Sequence, residues 1–144
     1  MSLGSPRRYN KTANLPTLVI EEGAIPEPLH LTVSLRGTRE VRHTCQIFRL
    51  VGQLDAFSEP TFRKVIDRCI HEGPKDVILV LSQIDFIDSS GLGALVQLVK
   101  KAKTEGGRLQ IVTNARVTQT VKLVRLENFL SLQPTLEEAL ENLK

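Results

Sequence analysis

A seven-residue stretch near the middle of the chain constrains the fold more than any other part of the sequence. It reads DVILVLS at residues 76–82, with five consecutive apolar residues between an aspartate and a serine. The run is too short for a helix, lacks a polar face and is rich in β-branched residues, which is typical of a strand buried on both sides. We therefore expect an α/β protein with this strand at the centre of its sheet.

Helical patterns flank this strand. Upstream, apolar residues recur at helical spacing over residues 57–73, with Ser58 as the expected cap and Gly73 as the end. Downstream, a second helix is expected from the paired serines to Gly106. Because strand–helix–strand connections join parallel strands, most of the sheet should be parallel.

The C-terminal third continues the alternation of strands and helices. RLQIVT predicts another strand, and VTQTVKLVRL predicts a helix with Val117, Val121 and Val124 facing inward. After a short FLSLQ segment, a final helix is expected over residues 135–144, with Thr135 as its cap.

The N-terminal part divides into two regions. Residues 1–28 contain Pro16, Pro26 and Pro28 among several small polar residues and have no sustained hydrophobic period, which predicts an N-terminal extension or flexible arm, whereas residues 29–144 should form a single small domain. LHLTVSLRG at residues 29–37 alternates apolar and polar residues and predicts a strand, with a turn at Gly37 and the following threonine. A second strand is expected over residues 41–52. This hairpin-like pair makes the predicted sheet mixed, mostly parallel, with flanking helices.

Composition limits the possible functions. With 144 residues, of which 41% are hydrophobic, the chain is long enough for one core. No apolar run approaches the roughly 20 residues that span a bilayer, and the N-terminus lacks a signal-like segment, so we expect a soluble, cytoplasmic protein without membrane contact. The net charge of +3 is too small and scattered to indicate nucleic-acid binding. Cys45 and Cys69 have no metal-ligand spacing, so reduced core thiols are expected, with no metal and no cofactor.

The stretch DFIDSSGLGALVQL, residues 85–98, is the strongest candidate for a functional site. Asp88, Ser89 and Ser90 follow the central strand, at the edge of the sheet where sites of α/β proteins gather. Asp55, in the loop after the preceding strand, should lie opposite Asp88 if the two strands are neighbours.

The residues of this stretch also have purely structural explanations. One serine can cap the helix, which would leave the second hydroxyl free. Gly91 and Gly93 each cost about 1 kcal/mol of helix propensity relative to alanine, so either a neighbouring element or another molecule must approach closely. Asp55 can form an Asx turn. The residues alone leave these alternatives open.

A family resemblance favours a functional site. The strings VILVLSQIDFIDSSGLGAL, LVGQLD and GGRLQIVT resemble the anti-sigma factor antagonist branch of the STAS domain family, from about residue 29 to the C-terminus. The resemblance implies a small mixed sheet flanked by helices and a protein that is not an enzyme. It further implies binding to an anti-sigma factor that is also a serine kinase, and resetting by a serine phosphatase.

Carried over by position, the resemblance makes Ser89 the phosphoacceptor, with Asp55, Asp88 and Ser90 as its environment. The segment formed by Gly91, Leu92 and Gly93 is expected to belong to the partner-binding surface. Gln53 stands where the family usually has an acidic residue, which makes the site less negative.

Three other functions compete with this hypothesis. A serine hydrolase would need a Gly-x-Ser-x-Gly elbow and a base near the serine, and the sequence has no such elbow. A nucleotide- or anion-binding regulatory module could use the helix N-terminus, although no phosphate-binding glycine loop is present. A STAS scaffold that is never phosphorylated would use the same docking surface, and the sequence does not separate it from a switch.

Overall fold

The computed structural model describes residues 25–144, which form six strands and four helices. The strands are β1 (Glu27–Thr32), β2 (Leu35–Val41), β3 (Cys45–Leu54), β4 (Asp76–Ile87), β5 (Leu109–Val112) and β6 (Ser131–Gln133). The helices are α1 (Glu59–Glu72), α2 (Ser89–Thr104), α3 (Ala115–Leu123) and α4 (Leu136–Asn142).

All six strands form one sheet in which spatial order equals chain order, β1-β2-β3-β4-β5-β6. The pairings β1–β2 and β2–β3 are antiparallel, and the three that follow are parallel. The prediction of a mixed, mostly parallel sheet with flanking helices in one small α/β domain is confirmed.

The helices divide unequally between the two faces of the sheet. Successive right-handed crossovers in one direction place α1, α2 and α3 on the same face, where they enclose the larger core cluster. On the other face α4 contacts β4, β5 and β6, and its Ala139 packs with Ile47, Ile78 and Val112. Cys45 belongs to this smaller cluster and Cys69 to the larger one, so the two thiols lie on opposite faces and form no disulfide.

The central strand β4 has the predicted burial, but it is longer than expected. Val77, Ile78 and Leu79 are fully buried, as a two-sided cover requires. Beyond Ser82 the strand continues to Ile87 because it stays paired with β3, through register shifts, up to the pair Leu54–Ile87. Asp85, Phe86 and Ile87 of the candidate stretch therefore lie in β4, beyond the predicted end of the strand at Ser82.

The N-terminal strands were predicted incorrectly. The turn lies at Val33 and Ser34, not at Gly37, which is inside β2 and packs against Leu50. A register shift between Leu29 and Thr32 puts Leu29 opposite Gly37, so Leu29, Leu31 and Leu35 pack on the same core and the alternation of apolar residues gives no sign of the turn. The predicted second strand, residues 41–52, is likewise divided between the end of β2 and β3. The predicted arm lies outside the described residues except for 25–28, of which Glu27 and Pro28 open β1.

The C-terminal helices agree with the predicted pattern apart from one residue. Val117 and Val121 are buried, whereas Val124 is 49% exposed because α3 ends at Leu123. Thr135 caps α4 and accepts a hydrogen bond from the backbone N–H of Glu138, as expected. Within residues 25–144, no helix has the length and apolar character needed to cross a bilayer.

Candidate functional site

The two loops that carry the candidate residues meet at the carboxyl edge of the sheet. β3 and β4 are parallel neighbours, and Leu54 lies opposite Ile87 at their ends. The residues that follow, Asp55 and Asp88, therefore leave the sheet side by side. The predicted adjacency of these two strands is confirmed.

Asp88 is the N-cap of α2. Its backbone is extended, with φ −115° and ψ −172°, and its Oδ1 accepts a hydrogen bond from the Gly91 N–H at 3.0 Å. Its Oδ2 accepts a second hydrogen bond, at 3.1 Å, from the N–H of Ala56 in the neighbouring loop. One carboxylate thus caps the helix and ties the two loops together.

The expectation that a serine caps this helix is wrong, because Asp88 fills that position and α2 begins at Ser89. Aspartate caps as well as serine does, and its negative charge suits the positive end of the helix dipole. Ser89 is exposed and Ser90 is half-buried. Neither hydroxyl forms a hydrogen bond within residues 25–144, so neither has a structural role there. The sequence predicted one free hydroxyl, and the structure has two.

Asp55 closes the loop that leads from β3 into α1. Its Oδ1 accepts hydrogen bonds from the N–H groups of Phe57, at 3.1 Å, and Ser58, at 3.0 Å. The Ser58 hydroxyl is fully buried and donates to the Gln53 carbonyl at 2.8 Å. Ser58 is the N-cap residue of α1, but its side chain makes no capping hydrogen bond. The Asx-turn interpretation of Asp55 is therefore confirmed.

The two glycines of the motif have different environments. A Cβ on Gly91 would collide with the carbonyl oxygen of Leu54 and would lie 2.9 Å from the Ile87 side chain, so the start of α2 packs directly on the sheet. A Cβ on Gly93 would meet nothing within 4 Å. Helix–sheet packing explains Gly91 and leaves Gly93 without a structural reason.

Burial changes the composition of the predicted partner surface. Gly91 and Leu92 are buried, and Leu92 belongs to the main core. Only Gly93 of that segment is exposed. Gly91 and Leu92 therefore offer no contact area in the free chain, and their role is to seat α2 on the sheet.

Two exposed aromatic side chains at this edge were missed by the sequence analysis. Phe57 is 66% exposed in the loop after β3, and Phe86 is 46% exposed near the end of β4. Phe86 lies opposite Gln53 in the β3–β4 register. The available signal was a phenylalanine three residues after Leu54, the last residue of β3, where a solvated loop would ordinarily be polar.

The geometry does not favour two of the alternative functions. A nucleophilic serine needs a base within hydrogen-bond reach, and neither hydroxyl has one among the described residues. His71 is near the far end of α1 and contacts Glu105. An anion at the start of α2 would compete with the Asp88 carboxylate for the Gly91 N–H.

Comparisons with known proteins agree with this architecture. The family described as the STAS domain matches residues 38–139. A Thermotoga neapolitana protein, provisionally named an anti-sigma factor antagonist, is 33% identical over 85 residues, which are 58% of this chain and 75% of that protein.

Solved structures share the fold. The crystal structure of an anti-sigma factor antagonist from Mycobacterium paratuberculosis superposes with a TM-score of 0.69 at 23% identity, over 76% of this chain and 94% of that one. The Bacillus cell fate determinant SpoIIAA in its phosphorylated form gives a TM-score of 0.54 at 19% identity, over 83% of this chain and 100% of that one. Since the family match extends over more than half of its length, this chain belongs to the STAS domain family.

Proposed function

We propose that this protein is an anti-sigma factor antagonist whose binding to its partner is switched by phosphorylation of Ser89. The observation that carries the proposal is the position of Ser89: its hydroxyl is exposed at the first residue of α2, and Asp88 performs the capping that would otherwise occupy it. The names of its relatives support the antagonist role. The solved phosphorylated form of SpoIIAA supports modification as the means of control.

The fold should tolerate a phosphoryl group at Ser89. Phosphorylation adds about −1.5 to −2 charges at neutral pH. Negative charge at a helix N-terminus is favourable by about 0.3–1 kcal/mol, so α2 should remain folded despite the nearby Asp88.

A protein partner packed against Ser89 should not tolerate the same group. Burying an imperfectly paired charge in an interface costs several kcal/mol, and each 1.4 kcal/mol lowers affinity tenfold. Modification therefore acts on binding rather than on folding. In this scheme the partner is an anti-sigma factor with serine kinase activity, a serine phosphatase restores the free hydroxyl, and the cycle runs in the bacterial cytoplasm, where ATP is available.

Intact-mass analysis tests the modification directly. The chain is incubated with ATP and the anti-sigma factor kinase encoded in the same genome, in parallel with Ser89→Ala and Ser90→Ala. We expect one added phosphoryl group in the unsubstituted chain and in Ser90→Ala, and none in Ser89→Ala. If an active kinase adds no mass to the unsubstituted chain, the unphosphorylated scaffold is the better description.

A charge mimic separates a binding switch from an unfolding switch. Ser89→Asp should keep the circular dichroism spectrum and Tm of the unsubstituted chain and should bind the anti-sigma factor at least tenfold more weakly. Ser90→Asp is the matched control for an added charge at the same helix end. Unchanged affinity of Ser89→Asp would contradict the proposal.

A further inference from the structure

The loop at residues 55–59 has every backbone N–H paired. Asp55 N–H donates to the Ser58 hydroxyl at 3.1 Å, and Glu59 N–H donates to the Asp55 carbonyl at 2.8 Å. Between them, the amides of Ala56, Phe57 and Ser58 donate to carboxylate oxygens of Asp88 and Asp55. Five consecutive amides therefore have acceptors within the protein, which holds the loop in one conformation.

This rigid loop presents an apolar side chain to solvent. Phe57 is at its tip, 66% exposed, and Ala56 beside it is exposed as well. An exposed phenylalanine contributes little burial energy to the stability of the free chain, whereas aromatic residues are enriched at the centre of protein interfaces. A side chain already held in place also loses less conformational entropy when a partner binds it.

The two carboxylates beside Phe57, Asp55 and Asp88, are occupied by backbone amides before any modification. Gln53 is exposed and uncharged, and Phe86 adds a second half-exposed ring near the end of the neighbouring strand. Because Asp88 bonds both to Ala56 of this loop and to the first turn of α2, the loop and Ser89 form one continuous surface. An apolar pocket on a protein partner is the chemistry that fits it.

We infer that Phe57 is the affinity anchor for the anti-sigma factor, and that Asp55 and Asp88 are positioning residues that hold its loop in the binding conformation. The inference rests on the proposed function, since it names how that partner is held. It also reassigns the two aspartates, which the family resemblance connects with the phosphorylation site, to the rigidity of the contact surface.

The first experiment measures the Kd of the full chain for the purified anti-sigma factor encoded in the same genome, by isothermal titration calorimetry. Phe57→Ala should raise Kd by about 30-fold or more, the size typical of an interface anchor. Leu123→Ala is the matched control, because Leu123 is 77% exposed at the end of α3 and should change Kd by less than about threefold. A retained Kd in Phe57→Ala overturns the inference.

The second experiment separates positioning from electrostatics. Asp55 uses only its Oδ1 toward the Phe57 and Ser58 amides, and asparagine supplies one such oxygen without the charge. Asp55→Asn should therefore bind with a Kd within about threefold of that of the unsubstituted chain, whereas Asp55→Ala should bind at least tenfold more weakly. Hydrogen exchange should show faster exchange of amides 56–58 in Asp55→Ala only. Equal weakening in both variants, with unchanged exchange, would assign Asp55 an electrostatic role instead.

Two further outcomes are decisive. If the unsubstituted chain binds no anti-sigma factor, the proposed function and this inference both fail. If it binds and Phe57→Ala binds equally well, only the inference fails.

Sedimentation of the chain alone tests whether a second copy of the chain contacts Phe57 instead. Self-association that Phe57→Ala abolishes would assign Phe57 to a contact between two copies.

Discussion

Gly91 lies so close to the carbonyl oxygen of Leu54 that no side chain fits between them. This contact fixes the distance between the start of α2 and the end of β3, and so the distance between the serines and the 55–59 loop. The hydrogen bond from Asp88 N–H to the same carbonyl, at 3.3 Å, is consistent with that seating.

The two glycines of α2 should respond oppositely to alanine. Gly91→Ala should lower the free energy of unfolding by about 1–3 kcal/mol, because its methyl group must displace the backbone of β3. Gly93→Ala should raise it by up to about 1 kcal/mol through helix propensity, since nothing lies within 4 Å of the added carbon. Urea denaturation measures both values, and effects of the same sign would contradict the packing described for Gly91.

Asn114 should tolerate no loss of its amide nitrogen. Its Oδ1 caps α3 by accepting from the Val117 N–H at 2.8 Å, while its Nδ2 donates to the carbonyls of Ser82 and Ile84 at 3.1 and 3.0 Å. Asn114→Asp keeps the cap and places a carboxylate against those carbonyls, so we expect a loss of about 1–3 kcal/mol in unfolding free energy. The same change at exposed Asn128 serves as the control and should have an effect below about 0.5 kcal/mol. Similar urea midpoints for the two variants would refute the donor role.

Gln46 should stabilise the connection between α1 and β4. Its side chain is fully buried, and Nε2 donates to the carbonyls of Cys69 and Pro74, each at 2.7 Å. Arg39 Nε donates to its Oε1 at 2.8 Å. Gln46→Met has similar volume but leaves these partners unpaired, so a loss of about 1–3 kcal/mol is expected by thermal or urea unfolding. A variant as stable as the unsubstituted chain would show that water replaces the amide.

Glu105 should make stability depend on acid pH. Hydrogen bonds from His71, Lys101 and Lys75 hold its pKa at about 2, well below the ordinary 4.5. A carboxyl whose pKa is depressed in the folded state contributes stability above its unfolded pKa and loses it as the pH falls through the folded value. The difference in Tm between the unsubstituted chain and Glu105→Gln should therefore be full at pH 6 and shrink between about pH 4.5 and pH 2. A difference that stays constant over this range would rule out the depressed pKa.

The central features of the fold were predictable because they depend on strong local patterns. Five consecutive apolar residues identify the core of β4, and helical spacing identifies α1 and α2. The N-terminal hairpin was not predictable in this way, because a period of two passes unchanged through the Val33–Ser34 turn. Val124 was misplaced because the pattern of α3 extends one residue beyond its last helical turn.

The candidate site was predictable in its residues but not in their hydrogen bonds. Sequence placed Asp55, Asp88 and Ser89 at one edge of the sheet, which follows from strand order. It could not decide which residue caps α2, since aspartate and serine are equally good caps. The role proposed for Phe57 depends on the hydrogen bond from Ala56 N–H to Asp88, which is 32 residues away in the chain, and no local pattern predicts such a contact.

The sequential order of the strands has a consequence for how the chain is made. Each strand joins the edge left by its predecessor, so no strand must be inserted between two that are already paired. A ribosome therefore delivers the strands in the order in which the sheet grows, and the antiparallel β1–β2–β3 meander can form before α1 has emerged. The 55–59 loop acquires its last anchor, the hydrogen bond from Ala56 N–H to Asp88, only when Asp88 leaves the exit tunnel, so this surface is completed after more than half of the chain has been made.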